Sequence, residues 1–280
     1  MRELHVDEII RTVRQMCIDA NCNLNSDVEA ALIQGLAHEE HPIAKSMLTD
    51  ILRNAEIARN KQMPICQDTG MAVFFLELGQ DLHIVGGSLY DAINEGVRQG
   101  YGDGYLRKSV VADPVRRGNT GDNTPAIIHT QITDGEQLRI TLAPKGFGSE
   151  NMSAIKMLKP SDGLEGIIQF VIDTVKNAGS NPCPPLVVGV GIGGTFEKCA
   201  ELAKSALLRD VDSKNPDPYY AELEEHLLEK INKLDIGPQG FGGITTALGV
   251  NVETFPTHIA GMPCAVNINC HVTRHVSKVL

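Results

Sequence analysis

Apolar residues recur at helical spacing through the first part of the chain. Ile9, Val13 and Met16 form one series, and further series lie within residues 28–36 and 47–57. Side chains three and four positions apart share one face of a helix. The pattern therefore predicts a helical opening over about residues 1–62.

The pattern changes to strand-like segments after residue 70. The stretch "MAVFFLEL" (71–78) is almost wholly apolar, and "QLRITLA" (137–143) alternates apolar with polar positions, as expected for a half-buried strand. A third strand-like segment, "AIIHTQIT" (126–133), ends just before Asp134-Gly135. An Asp-Gly pair favours a tight turn, so residues 126–143 are predicted to form a hairpin.

The second half of the chain alternates helical and strand-like segments. A helix is predicted from Ser161, as N-cap, to a stop at Gly179. It is followed by a strand at 185–191, helices near 196–208 and 219–234, and a closing strand at 263–270. The fold class predicted is α+β, in which a helical N-terminal segment precedes mixed sheets flanked by helices. Only the short segment 212–218 resembles a linker, so residues 1–280 are assigned to one domain.

Composition and charge exclude several classes of protein. The 280 residues include 35 acidic and 25 basic side chains, for a net charge of -10, and no tryptophan. This balance argues against nucleic acid or an anionic membrane as the main partner, but it allows an anionic small molecule. The charged N-terminal stretch lacks the apolar core of a signal peptide, so a cytoplasmic location is expected.

The stretch "GVGIGG" (189–194) fits the G-x-G-x-x-G pattern of dinucleotide-binding loops, with Asp210 and Asp212 further along. The context disfavours that interpretation, because this acidic pair sits at a helix end and no second apolar strand precedes it to build the required βαβ unit. The alternatives are a tight strand-to-helix turn where two backbones pass closely, and a helix N-terminus that holds a carboxylate.

The seven cysteines divide by their surroundings. Cys17 and Cys199 lie in apolar helical patterns and are interpreted as small buried hydrophobes, while Cys22 has no neighbours that suggest chemistry. The other candidates stand where a predicted strand meets a loop, namely Cys66, Cys183 and Cys270. The sequence has no C-x-x-C pair of the kind typical of structural zinc sites. Three separated cysteines are compatible with an iron–sulfur cluster that keeps one iron open as a Lewis acid.

Seven segments, in order, resemble the alpha subunit of two-subunit class I iron–sulfur fumarate hydratases. They are "PICQDTG" (64–70), "LRKSVVADP" (106–114), "KGFGSEN" (145–151), "NPCPP" (181–185), "GVGIGGT" (189–195), "IGPQGFGG" (236–243) and "FPTHIAGMPCAVNINCHVTR" (255–274). The resemblance implies a 4Fe-4S cluster held by Cys66, Cys183 and Cys270. It also implies hydration of fumarate to L-malate, a tricarboxylic acid cycle reaction, and a beta subunit with which the chain forms a hetero-oligomer.

The resemblance also assigns roles around the small dicarboxylate substrate. Asp68 and His258 become the acid–base candidates, and Gln67 a substrate contact. Arg107 would bind one carboxylate bidentately, and a second anion-binding loop would comprise Lys145, Gly146 and Gly148. Each residue has a simpler interpretation: Asp68 as a turn cap, Arg107 as a solvated charge and His258 as a core histidine.

Two alternatives remain for function. The L(+)-tartrate dehydratase alpha subunit shares the "CQDTG", "CPP" and "IGPQG" elements, although the loop at 145–151 keeps the fumarase pattern. The other alternative is a non-enzymatic metal-binding or scaffold protein. Cys264 is interpreted as core, because six extended residues place it about 20 Å from Cys270 at about 3.3 Å per residue.

Overall fold

The computed structural model describes residues 2–280 and confirms the α+β class with mixed sheets. The helices are α1 (Val6–Cys22), α2 (Ser26–His38), α3 (Pro42–Lys61), α4 (Leu89–Asp103), α5 (Phe147–Glu150), α6 (Gly163–Ala178), α7 (Phe196–Ala206) and α8 (Pro218–Asn232). The strands are β1 (Arg2–His5), β2 (Met71–Gly79), β3 (Leu82–Val85), β4 (Ile127–Thr133), β5 (Leu138–Lys145), β6 (Ala154–Leu158), β7 (Leu186–Gly193), β8 (Ala247–Phe255), β9 (Met262–Asn269) and β10 (Val276–Val279).

Packing divides the chain into two compact units. The first unit comprises residues 2–24, 55–147 and 274–280, and the second comprises residues 25–54 and 148–273. The assignment of residues 1–280 to one domain stays a prediction. Among residues 2–280, no helix combines the length and the apolar character needed to cross a bilayer.

The predicted helical opening is observed as α1, α2 and α3, but the chain enters it through a short strand. β1 pairs in parallel with β3, a contact that the periodicity of residues 2–5 does not reveal. In the first unit, α1 and α4 pack their apolar faces against β2 and β5, and burial of Ile9, Phe74, Ile93 and Ile140 is complete. Removing this apolar surface from water is the main stabilising contribution to the unit.

The predicted hairpin between residues 126 and 143 is wrong. The sheet has the order β10-β5-β2-β4, so β4 and β5 lie on opposite edges of β2 and do not pair with each other. The physical reason lies in burial: β2 is buried along most of its length and takes a central position. β4 is largely exposed, as expected for an edge strand.

The second unit is built on a sheet of order β6-β9-β7-β8. Alternate residues of β7, including Val188 and Val190, pack with α6 and α8 on one face, whereas α7 covers the other. A Cβ atom on Gly189 or Gly191 would lie 2.1 or 2.2 Å from main-chain oxygens of α7. The glycines of the "GVGIGG" stretch therefore allow a helix backbone to approach the strand closely.

The remaining predicted elements of the second unit are confirmed within a few residues. α6 begins at Gly163 after a short 3-10 turn over Pro160–Asp162, so Asp162 rather than Ser161 is its N-cap residue. Gly179 ends it, as predicted, with a positive φ of 54°. Cys264 is fully buried in β9 and packs in the core, as the sequence indicated.

Candidate functional site

The segment from Cys66 to Gly70, here called the Cys66 loop, leads directly into the buried strand β2 of the first unit. Cys66 and Asp68 are partly exposed, Gln67 is exposed, and Thr69 and Gly70 are buried. The Asp68 main-chain N–H donates to the Cys66 sulfur at 3.4 Å. The loop thus presents its reactive side chains toward solvent while its last two residues are anchored in the protein.

Three buried side chains support consecutive carbonyl groups of this loop. Arg274 Nη2 donates to the Asp68 oxygen at 2.6 Å. The Tyr101 hydroxyl donates to the Thr69 oxygen at 2.9 Å, and Asn123 Nδ2 donates to the Gly70 oxygen at 3.2 Å. Burial raises the pKa of Tyr101, which keeps its hydroxyl a donor. These hydrogen bonds from the protein interior therefore hold the backbone conformation of the loop.

The Asp68 carboxylate is held in one orientation by two main-chain donors. The Gly70 N–H donates to Oδ1 at 3.0 Å, and the Phe147 N–H donates to Oδ2 at 2.9 Å. The turn-cap interpretation of Asp68 is thus part of its structural role. A Cβ atom on Gly146 would lie 3.2 Å from Oδ2. Glycine therefore fits beside this carboxylate more easily than any residue with a side chain.

Lys145 and Gly146 lie beside the Cys66 loop in the same unit. Gly70 adopts a positive φ of 75°, and a Cβ atom there would lie 2.7 Å from the Lys145 main chain. Lys145 is only 3% exposed, and its Nζ donates to the Gly146 oxygen at 3.3 Å. Two of the three residues predicted for the anion-binding loop are therefore adjacent to Asp68.

Thr69 joins the Cys66 loop to Arg107. Its hydroxyl accepts from the Arg107 N–H at 3.0 Å and lies 3.3 Å from the Arg107 carbonyl, to which it donates. The Arg107 residue is exposed, which leaves its guanidinium accessible to an anion. The first unit therefore brings Cys66, Asp68, Arg107 and the 145–146 segment into one region.

In the second unit, a separate set of contacts ties the Cys183 segment to the Cys270 segment. The His271 ring Nδ1 lies 2.9 Å from the Cys183 oxygen, and the His271 N–H donates to the same oxygen at 3.3 Å. A carbonyl oxygen only accepts, so this contact requires the proton on Nδ1. Gln239 Nε2 donates to the Pro184 oxygen at 2.8 Å and lies 3.2 Å from the same ring nitrogen.

Cys183 itself has a φ of +56°, in the left-handed region that residues with a Cβ atom seldom occupy. Such strain is retained where the surrounding contacts overdetermine the backbone. Here the flanking prolines and the hydrogen bonds to its carbonyl hold the segment in place. Cys183 is exposed and Cys270 is partly exposed.

The remaining two candidates of the second unit are exposed. His258 lies in the loop after β8, and its Nδ1 accepts from the Ala260 N–H at 3.2 Å. The core-histidine interpretation is therefore wrong, because the residue faces solvent. Gly148 is exposed near the main-chain oxygen of Asn181.

The chemistry of the seven thiols fits the cluster that the family resemblance implies. Four cysteines are fully buried: Cys17, Cys22, Cys199 and Cys264. Burial raises the pKa of Cys199 to about 12, and burial also raises the pKa of Cys17 and Cys264, which disfavours the thiolate. The three accessible cysteines are the three that the resemblance selects. Within residues 2–280, no three His, Cys, Asp or Glu side chains form a ready-made metal site, so the ligand set stays a prediction.

The sequence analysis missed the residues that support the site. Tyr101 and Asn123 carry no local signal, because each acts on a loop distant in sequence. Arg274 ends the quoted segment 255–274, but the loop that it contacts is equally distant. His271 follows Cys270 directly, and Gln239 lies within the "IGPQGFGG" segment. These two were inside quoted motifs, yet nothing in their spacing indicated which carbonyl groups they contact.

Comparisons with known proteins agree on one family. The family model described as Fumarate hydratase (Fumerase) matches residues 10–279. A protein of Methanocaldococcus jannaschii named "Putative L(+)-tartrate dehydratase subunit alpha" is 42% identical over 278 residues, covering 97% of this chain and 97% of that protein. The "L(+)-tartrate dehydratase subunit alpha" of Escherichia coli is 32% identical over 272 residues, covering 96% of this chain and 89% of its own length.

Proposed function

The chain belongs to the Fumarate hydratase (Fumerase) family, and from this premise we propose that it is the alpha subunit of an iron–sulfur hydro-lyase that interconverts fumarate and L-malate. The observation that carries the proposal is the convergence in the first unit of a partly exposed Cys66, an oriented Asp68 and an exposed Arg107. Reversible hydration needs an electrophile for the hydroxyl group, a proton donor and acceptor, and cations for two carboxylates.

The proposed cluster is a 4Fe-4S group held by Cys66, Cys183 and Cys270. When bound, it would supply a Lewis acid that polarises the substrate hydroxyl. These are the cysteines that are not buried in the described chain, which supports the assignment.

The protein side chains would bind the dicarboxylate and move its proton. Arg107 offers a planar guanidinium for bidentate binding of one carboxylate. Asp68 is held by two main-chain donors, so its carboxylate can exchange a proton with the substrate without losing its orientation. We propose His258 as the second acid–base group, Gln67 as a substrate contact, and an anion-binding loop made of Lys145, Gly146 and Gly148.

L(+)-tartrate is the second candidate substrate, and the names of the two relatives described above favour it. Both reactions remove water from a hydroxylated dicarboxylate, so the same residues serve either. The "KGFGSEN" loop at 145–151 favours fumarate, because it keeps the fumarase pattern. Discrimination between such similar acids rests on few contacts.

A beta subunit is proposed as the partner, since the named relatives are alpha subunits. The resulting enzyme would be a cytoplasmic hetero-oligomer, and with fumarate as substrate it would serve the tricarboxylic acid cycle. The alternative of a non-enzymatic metal-binding or scaffold protein predicts metal content without turnover.

The test is anaerobic reconstitution of the chain with its beta subunit, followed by assays on fumarate, L-malate and L(+)-tartrate. We expect water addition to fumarate to give the highest kcat/KM. A higher kcat/KM on L(+)-tartrate than on fumarate would make tartrate the substrate in place of fumarate. Iron binding without turnover on any of the three acids would refute the hydro-lyase proposal.

The ligand set is tested by iron and sulfide analysis of single cysteine variants. Cys66→Ser, Cys183→Ser and Cys270→Ser should each lose the reconstituted cluster. Cys264→Ser is the matched control, because Cys264 is buried in β9, and it should keep full iron content. Full iron content in any of the first three would remove that residue from the ligand set.

A further inference from the structure

Arg274 carries a buried positive charge directly behind the Cys66 loop. The residue is only 4% exposed. Its Nη2 donates to the Asp68 oxygen at 2.6 Å, whereas Nε and Nη1 are buried without a hydrogen-bond partner. Tyr101 and Asn123 hold the next two carbonyl groups without a charge, so the hydrogen bond alone does not account for the buried charge of Arg274.

The arrangement is energetically unusual. A guanidinium stays charged in proteins, and burial of a charge without an opposite charge beside it is strongly destabilising. No ion pair found among residues 2–280 includes Arg274. Its single carbonyl contact satisfies one donor, so the fold keeps a charge that its own carboxylates do not neutralise.

The position of the charge indicates what it serves. Asp68 accepts from Arg274 through its carbonyl group and donates through its N–H to the Cys66 sulfur. Asp68 therefore connects the Arg274 guanidinium to the Cys66 sulfur, and the proposed function makes this sulfur a cluster ligand. Residues that contact a metal ligand without touching the metal orient that ligand and change the net charge around the site.

We propose that Arg274 is a positioning residue of this site, which fixes the main chain between Cys66 and Gly70 and supplies the positive charge that balances an anionic ligand set at Cys66. The proposal rests on the function proposed above. Tyr101 and Asn123 hold the neighbouring carbonyl groups with neutral donors, so among the three residues that support this main chain only Arg274 adds charge. A thiolate and a negatively charged cluster are both favoured by a buried cation nearby.

Three variants separate the hydrogen bond from the charge. Arg274→Met removes both, and Arg274→Lys keeps the charge but loses the planar fork. Tyr101→Phe is the matched control, because it removes a neutral donor from the same loop and leaves Arg274 in place. Two measurements apply to each: hydrogen exchange of the metal-free chain, and the iron content and midpoint potential of the cluster after anaerobic reconstitution with the beta subunit.

In the metal-free chain, Arg274→Met should accelerate exchange within residues 66–70 at least tenfold, with no change in the buried strand β7. Equal acceleration in both segments, or in neither, would overturn the positioning role. If Arg274→Met does not fold, Arg274→Lys decides the same question, since the shorter lysine side chain does not reach the Nη2 position and should also free the Asp68 carbonyl.

In the reconstituted protein, Arg274→Met should bind iron roughly tenfold more weakly or worse and shift the midpoint potential to more negative values. Arg274→Lys and Tyr101→Phe should leave the potential at the wild-type value. A potential that does not move in Arg274→Met would overturn the charge role. A wild-type chain that builds no cluster would instead refute the proposed function and the charge role with it, while hydrogen exchange would still decide whether Arg274 positions the loop.

Discussion

Replacing Thr69 by valine tests whether the Cys66 loop positions Arg107. Thr69 is 1% exposed, and its hydroxyl accepts from the Arg107 N–H and donates to the Arg107 carbonyl. Valine has nearly the same shape as threonine but puts a methyl group in place of the hydroxyl. Thr69→Val therefore removes both hydrogen bonds and leaves the packing volume almost unchanged.

The magnitude follows from the two bonds. A typical side-chain hydrogen bond contributes about 0.5–1.5 kcal/mol net, so their loss should lower the free energy of unfolding by about 1–3 kcal/mol. The release of Arg107 has a second consequence for binding. A misplacement of about 1 Å in a substrate-positioning group lowers kcat/KM by up to about a hundredfold, and here the loss should arise mainly from a higher KM.

The assay compares urea unfolding of the chain with kcat and KM of the reconstituted enzyme. Thr69→Ser is the matched control, because it keeps the hydroxyl and should retain wild-type KM. The reasoning would be refuted by a Thr69→Val enzyme whose KM equals that of Thr69→Ser, even if its stability falls, since the hydroxyl would then not position Arg107.

Three further predictions concern the site and its scaffold. Arg107→Lys keeps the charge but loses the bidentate fork, so kcat/KM should fall by an amount equivalent to about 1.5–3 kcal/mol; unchanged kinetics would exclude a substrate contact. Gly191→Ala should destabilise the chain by about 1–3 kcal/mol in urea unfolding, because the added methyl would lie 2.2 Å from a main-chain oxygen of α7. Gly102→Ala is the control and should not destabilise the chain, because no atom lies within 4 Å of the added methyl. Burial acts to raise the pKa of Glu39, but N–H and O–H donors around its carboxylate outweigh burial and hold that pKa below its ordinary value. This stabilisation is complete above the ordinary pKa and is lost as pH falls through the folded-state pKa. Glu39→Gln should therefore destabilise the protein most at neutral pH. An equal loss of stability in acid would contradict a stabilising role for the ionised Glu39 carboxylate.

The elements that the sequence predicted well are those whose signal is local. α1 and α6 each repeat apolar residues along one helix face, and the buried strands β7 and β9 are short apolar segments bounded by turns. Strand pairing was predicted less well. The Asp134-Gly135 pair suggested a hairpin, but β2 pairs with both β4 and β5 because its own side chains are buried along most of the strand.

The sequence by itself determined the helices and strands with a strong local pattern, the family, and the three cysteines that differ from the buried four, because periodicity and motif order are properties of neighbouring residues. It did not predict β1, β3, α4, β6, β8 or β10. Only the tertiary structure decided how the Cys66 loop is held. Arg274 reaches the Asp68 carbonyl across 206 positions of sequence, and Tyr101 reaches Thr69 across 32. Such contacts depend on which strands and helices pack together, and packing is set by burial of the whole unit rather than by any local pattern.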